Sequence, residues 1–183
     1  YLRKFIDLEY GLPQVSGDAF TNVLLTKFGL DTIFARRSGR ETQNDRQNFV
    51  RTFSRLADLF GIGLRTRERC IARLKVVLDQ TPDDHYLDPI HVALLIVLRI
   101  KQQTLFAALA NGSASSDEVM DCLANLPGGQ DFVFDRMGIV LESFLIECDP
   151  NHERRSAAID RISAQMNSED LTEKQRSRYI DLH

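Results

Sequence analysis

The chain has 183 residues, of which 43% are hydrophobic and 27% charged, enough for one good-sized domain with a core and too apolar for a wholly disordered chain. The net charge of −3 points to no partner, but it hides an uneven distribution: residues 36–75 carry eleven Lys or Arg against four Asp or Glu, so a basic block sits in an acidic body. The three cysteines, Cys70, Cys122 and Cys148, are widely spaced with no Cys-x-x-Cys pair, which argues against a zinc site and suits a reducing compartment. No stretch resembles a signal peptide, and the longest apolar run, Ile90 to Leu98, falls short of the ~20 residues a bilayer span needs.

Lys4 to Tyr10 alternates, with Ile6, Leu8 and Tyr10 on one face and Phe5, Asp7 and Glu9 on the other, and stops at Gly11-Leu12-Pro13. That pattern predicts a strand. No second strand stands out to pair with it, so the expectation is an orphan from a sheet lying upstream, joined by a linker from Gly11 to Gly17. Everything after Pro13 reads as helix. Asp18 to Phe28 repeats Ala19, Phe20, Val23, Leu24 and Phe28 and ends at Gly29. A short turn holding Leu30, Ile33 and Phe34 leads to a polar loop, Arg36 to Arg40. From Asp45, the spacing of Phe49, Phe53, Leu56 and Phe60 draws one apolar stripe of a helix closed by Gly61.

The next helix is expected from Thr66 to about Asp79, with Cys70, Ile71, Leu74, Val77 and Leu78 facing inward. Asp88-Pro89 is an N-cap followed by proline, opening the most apolar helix, Ile90 to Ile100, which is expected at the centre of a bundle. Gln102 to Ala110 reads as its continuation. Ser115-Ser116-Asp117-Glu118 is a capping box, with Val119, Leu123 and Leu126 inward. After Pro127-Gly128-Gly129, a helix from Phe132 to Ile146 places Met137, Val140, Leu141 and Phe144 on one side. Polar helices over Asn151–Met166 and Leu171–Leu182 are expected to pack on the outside or against a neighbour. The fold class is therefore mainly α: one N-terminal strand, then seven to nine helices.

The chemistry concentrates at Gly61-Ile62-Gly63-Leu64-Arg65-Thr66-Arg67-Glu68-Arg69. A helix start offers free N–H groups and a positive dipole end to an anion. Arg65, Arg67, Arg69 and Arg73 add charge there. Two readings stand: contact with a phosphate, or a solvated basic face beside acidic neighbours. Elsewhere the signals are weaker. His85 and His91 are six apart among Asp83, Asp84 and Asp88, without the i, i+4 pair a metal site favours. Cys70 falls on the apolar phase of its helix, which marks it as inert. None of the ten glycines precedes a lysine, so the phosphate-wrapping Gly-x-x-x-x-Gly-Lys-Ser/Thr loop is absent, and no apolar strand ends in paired aspartates to hold Mg²⁺.

Tyr1-Leu2-Arg3-Lys4-Phe5-Ile6-Asp7-Leu8-Glu9-Tyr10-Gly11-Leu12-Pro13 resembles the segment that closes the P-loop core of the KAP family of NTPases, where Tyr/Phe-Leu-x-Lys precedes an apolar strand and Leu-Pro. Gly63 to Cys70 is similar to that family's later Ser-Leu-Arg-Asp-Ile-Glu-Arg helix start, with Thr66 and Arg67 standing in place of Asp-Ile, and the apolar Pro89–Leu98 helix follows at the expected distance. The resemblance covers about the first hundred residues. It implies three parts: residues 1–13 as the last strand of an absent P-loop core, 14–112 as a helical lid, and 113–183 as a C-terminal extension. It further implies that Arg65 senses a nucleotide phosphate, with Arg69 a candidate beside it although Glu68 and Arg69 fall on that family's Glu-Arg pair and read as lid packing or an ion pair, with Lys4 and Arg67 as secondary candidates and no catalytic residue in this chain. ATP and Mg²⁺ would belong to the full-length protein. The implied partners are the upstream core and, in some arrangements, further copies of the chain, and the implied location is the cytoplasm. Two other classes remain open. Helix, Gly turn and arginine-rich helix also outline a nonspecific DNA-binding unit. The C-terminal helices could equally form a protein-interaction module, with Phe132 to Leu145 as its groove.

Overall fold

A computed structural model describes residues 16–37, 44–83 and 85–166. The expected strand at Lys4–Tyr10, the linker up to Val15 and the expected helix at Leu171–Leu182 lie outside these residues. The described residues form ten helices and no strand, one more helix than the upper expectation. In chain order they are α1 (Gly17–Lys27), α2 (Leu30–Arg37), α3 (Asp45–Leu59), α4 (Leu64–Gln80), α5 (Pro89–Lys101), α6 (Gln103–Ala110), α7 (Ser116–Ala124), α8 (Gly129–Val133), α9 (Arg136–Glu147) and α10 (His152–Met166).

The centre is the pairing of α3 with α5, flanked by α1 on α3, and by α4, α6 and α9 on α5. The phenylalanine stripe of α3 explains that pairing. Phe49 and Phe53 are fully buried with their rings stacked 5.5 Å apart, and Phe34 tilts against Phe49 at 6.1 Å. Each such side chain contributes about 1.5–3 kcal/mol by leaving water. From α5, Ala93, Leu94, Val97 and Leu98 are completely buried against them. A single cluster of buried apolar side chains runs from Leu24 to Leu145, so helices on both sides of residue 112 share it.

The helix starts follow their local chemistry. Ser16 caps α1 by accepting from the Ala19 N–H. Asp88 caps α5 by accepting from the His91 N–H at 2.7 Å, with Pro89 in the first turn. At α7 the Glu118 N–H donates to Ser115 Oγ while the Ser115 N–H donates to Glu118 Oε2, the reciprocal pair of a capping box.

Several expectations are corrected. The Leu30–Phe34 turn is a helix that runs on through Arg37: Gly29 reverses the chain at φ +69°, and Leu30 and Ile33 then sit on one buried face. α4 begins two residues earlier than Thr66. Val77 is 42% exposed, because Leu74 and Leu78 already fill the inward phase. On α1, Val23 faces solvent, and Thr21, Leu24 and Leu25 form the buried stripe. α5 does not continue through Gln102, whose φ −139°, ψ 64° breaks the helix before α6.

The expected helix from Phe132 to Ile146 is two. Asp135 interrupts it by accepting from the N–H groups of Met137 and Gly138, which starts α9 afresh. The new phase buries Ile139, Leu141, Leu145 and Ile146, whereas Met137, Val140 and Phe144 are only half-buried.

Candidate anion-facing site at the start of α4

The turn between α3 and α4 is built from its backbone. The Gly61 N–H donates to Asp58 O and the Ile62 N–H to Ala57 O at 2.7 Å, a closure that needs Gly61 at φ +58°. Ile62 drops into the core as a 3% exposed plug. The carbonyl of Gly63 then accepts from the N–H groups of Thr66 and Arg67, at 2.9 and 3.0 Å. The N–H groups of Leu64 and Arg65 have no acceptor among the described residues.

Arg67 is buried, 6% exposed, whereas most of the described arginines face water. Its Nε donates to the Ile62 carbonyl at 2.8 Å and its Nη2 to Asp58 Oδ1 at 2.5 Å. It therefore ties the end of α3, the turn and α4 together. α1 closes over this joint at Gly17, where a Cβ would stand 3.1 Å from both Arg67 Nη1 and Asp58 Oδ2. Thr21 reinforces the approach: its hydroxyl donates to Gly17 O at 2.8 Å and shares a buried hydrogen bond of 2.9 Å with Ser54.

Arg65, Arg69 and Arg73 lie on the opposite side of α4 and are exposed. At i, i+4 and i+8 they form a row about 12 Å long. None of the three makes an ion pair among the described residues. Glu68, between them in sequence, is held instead by Lys27 of α1 at 2.6 Å. The hydrogen bond from Lys27 first, and then its charge, keep the Glu68 carboxyl below the ordinary carboxylate range. Arg65 adds to this, and together they outweigh the opposing effect of burial. Lys75 is paired with Asp79 one turn further on, at 3.1 Å. The inward face of α4 carries Cys70, Ile71, Leu74 and Leu78, and burial pushes the Cys70 thiol up to about 11.

Arg65 and Arg69 thus share one solvent-facing side, and Arg67 is turned away from it into a structural role. Lys4 lies outside the described residues. The inward position of Arg67 had a signal in the sequence, since 67, 71, 74 and 78 share a helical phase. Phe132, Leu141 and Leu145, which a docking groove would present, are in the core. Among the described residues no group of three His, Cys, Asp or Glu is placed to hold a metal ion, and no helix is long and apolar enough to cross a membrane. No family model, no curated protein and no solved structure matches the chain.

Proposed function

We propose that this chain is the helical lid of a KAP-like P-loop ATPase, in which Arg65 and Arg69 meet the phosphates of a nucleotide held by a core bearing the glycine-rich loop. One observation carries the reading: among the described residues, two exposed arginines on the first turns of a helix have no ion-pair partner, and the first N–H groups of that helix have no acceptor. Positive charge in a first turn opposes the helix dipole, and α4 has no acidic residue there to offset it. An anion arriving from outside would relieve that conflict. Guanidinium groups suit phosphate oxygens in shape and remain charged at any physiological pH. The Arg67 joint keeps the start of α4 fixed relative to α3, as a lid that reports phosphate must be.

In this reading ATP and Mg²⁺ bind the core, and the chain by itself hydrolyses nothing. Arg65→Ala in the protein joined to its P-loop core is expected to lower ATP turnover about tenfold or more, by analogy with other arginines that stabilise phosphoryl transfer. The stability of the chain itself is expected to change by no more than ~0.5 kcal/mol, as for an exposed side chain. Unchanged turnover removes the assignment. The rival reading has its own signature. A nonspecific DNA-binding unit would bind duplex tightly in isolation, with affinity falling steeply as salt rises.

A further inference from the structure

On another part of the molecule, α5, α6, the start of α7 and the end of α9 enclose a cleft of about 180 Å³. Its walls are mainly apolar: Leu95 of α5, Phe106 and Leu109 of α6, and Leu145 of α9. α6 is the unusual wall. It is rich in apolar residues, yet none of them is fully buried, and the Arg99 guanidinium lies over the Phe106 ring, 4.9 Å from its centre. The half-covered apolar side of α6 therefore belongs to the cleft.

Three polar features mark the site: the His91 imidazole, Ser116 at the start of α7, and the Cys148–Asp149 wall. The His91 imidazole lines the cleft and has no hydrogen-bond partner among the described residues. Burial lowers its basicity, outweighing the attraction of the Asp88 carboxylate, so the ring is neutral and offers one donor and one acceptor nitrogen. Cys148, an exposed free thiol, and Asp149 stand at the far wall. Asp149, the carboxylate that lines the cleft, accepts at Oδ1 from Arg154 at 2.9 Å and from the Asn151 N–H at 2.8 Å. Asp149 and Arg154 offset each other's charge at this wall, so the cleft presents little net charge and a neutral occupant fits best.

We propose that this cleft binds a small neutral ring compound bearing a hydroxyl, its ring against Phe106 and Leu145 and its hydroxyl bonded to the imidazole of His91. Size agrees: apolar cavities of about 150 Å³ accept benzene, and this one has room for a substituent more. The site shares no residue with the arginine row of α4, so it stands or falls independently of the lid reading.

Phenol is the probe, and alkylation of Cys148 by iodoacetamide is the readout. Cys122, half-buried on α7 and outside the cleft, is the internal control, and both are followed by peptide mass spectrometry. Phenol in the millimolar range is expected to slow Cys148 modification at least threefold and saturably while leaving Cys122 unchanged. Benzene, lacking the hydroxyl, is expected to protect about tenfold more weakly, the worth of one hydrogen bond. His91→Phe keeps the ring volume and should make phenol and benzene equal. Should that variant fail to fold, Ala110→Phe, which fills the cleft, should abolish protection. Absence of saturable protection in the wild type, equal slowing of Cys122, or a His91→Phe protein that still prefers phenol overturns the proposal.

Discussion

Replacing Arg67 by alanine tests how the start of α4 is held. The side chain is 6% exposed, and its Nε donates to a buried carbonyl, that of Ile62, at 2.8 Å. Truncation leaves that acceptor unpaired, which costs about 1–3 kcal/mol. It also removes two packed methylenes, Cγ and Cδ, which together contribute about 1.5 kcal/mol. The ion pair matters less than its 2.5 Å contact suggests, because the Asp58 side chain is 63% exposed and its charge is screened. Arg67→Ala should therefore destabilise the fold by about 2.5–4.5 kcal/mol, a drop in Tm on the order of 10 °C for a chain of this size. Arg67→Met, which keeps most of the stem, should lose about half of that, and Asp58→Ala no more than ~1 kcal/mol, since the Asp58 side chain is 63% exposed and its removal lets water reach the guanidinium in its place. Urea unfolding followed by circular dichroism ranks the three. If Asp58→Ala proves as damaging as Arg67→Ala, the ion pair rather than the Ile62 bond holds the joint, and the reasoning is wrong.

Gly138→Ala places a Cβ 2.3 Å from the Phe132 carbonyl oxygen and 2.7 Å from Val133 Cα, both backbone, so α8 and α9 must separate. A loss of about 2 kcal/mol or more in urea unfolding is expected, and a neutral outcome would mean that the joint is looser than described. Asp45, at the start of α3, has its carboxyl pushed up to about 6, by burial first and by the Asp88 charge second. Its folded value lies above its ordinary 3.8, so ionisation disfavours the fold: stability is lost as pH rises from about 4 to about 6 and then levels off. Asp45→Asn should flatten that part of the stability profile, and curves that stay parallel between variant and wild type would refute the assignment.

Much of the helical order was legible because the signals were local and chemical. Asp88-Pro89, the Ser115–Glu118 box and the phenylalanine spacing of α3 each name their element without help from the rest of the chain. The errors arose where apolar periodicity ran through a break. Phe132 to Ile146 looks continuous because both pieces are apolar, and only Asp135, an acceptor three residues before Gly138, marks the restart. Hydropathy also misled at α4. It groups Arg65, Arg67, Arg69 and Arg73 as one basic cluster, whereas helical phase divides them, sending Arg67 to the side of Ile71 and Leu74 and leaving the other three outside. Tertiary demand then decides: Ile62 needs a donor for its carbonyl, and Arg67 is the side chain in reach.

The position of α5 has a mechanical consequence. It touches α3, α4, α6 and α9, so the molecule offers no seam along which the helices before residue 112 could part from those after it without baring that shared rod. Its backbone amides should therefore exchange with solvent only when the whole assembly opens. A tug applied at either edge, at the arginine row or at the cleft beside His91, would be met by the same spine.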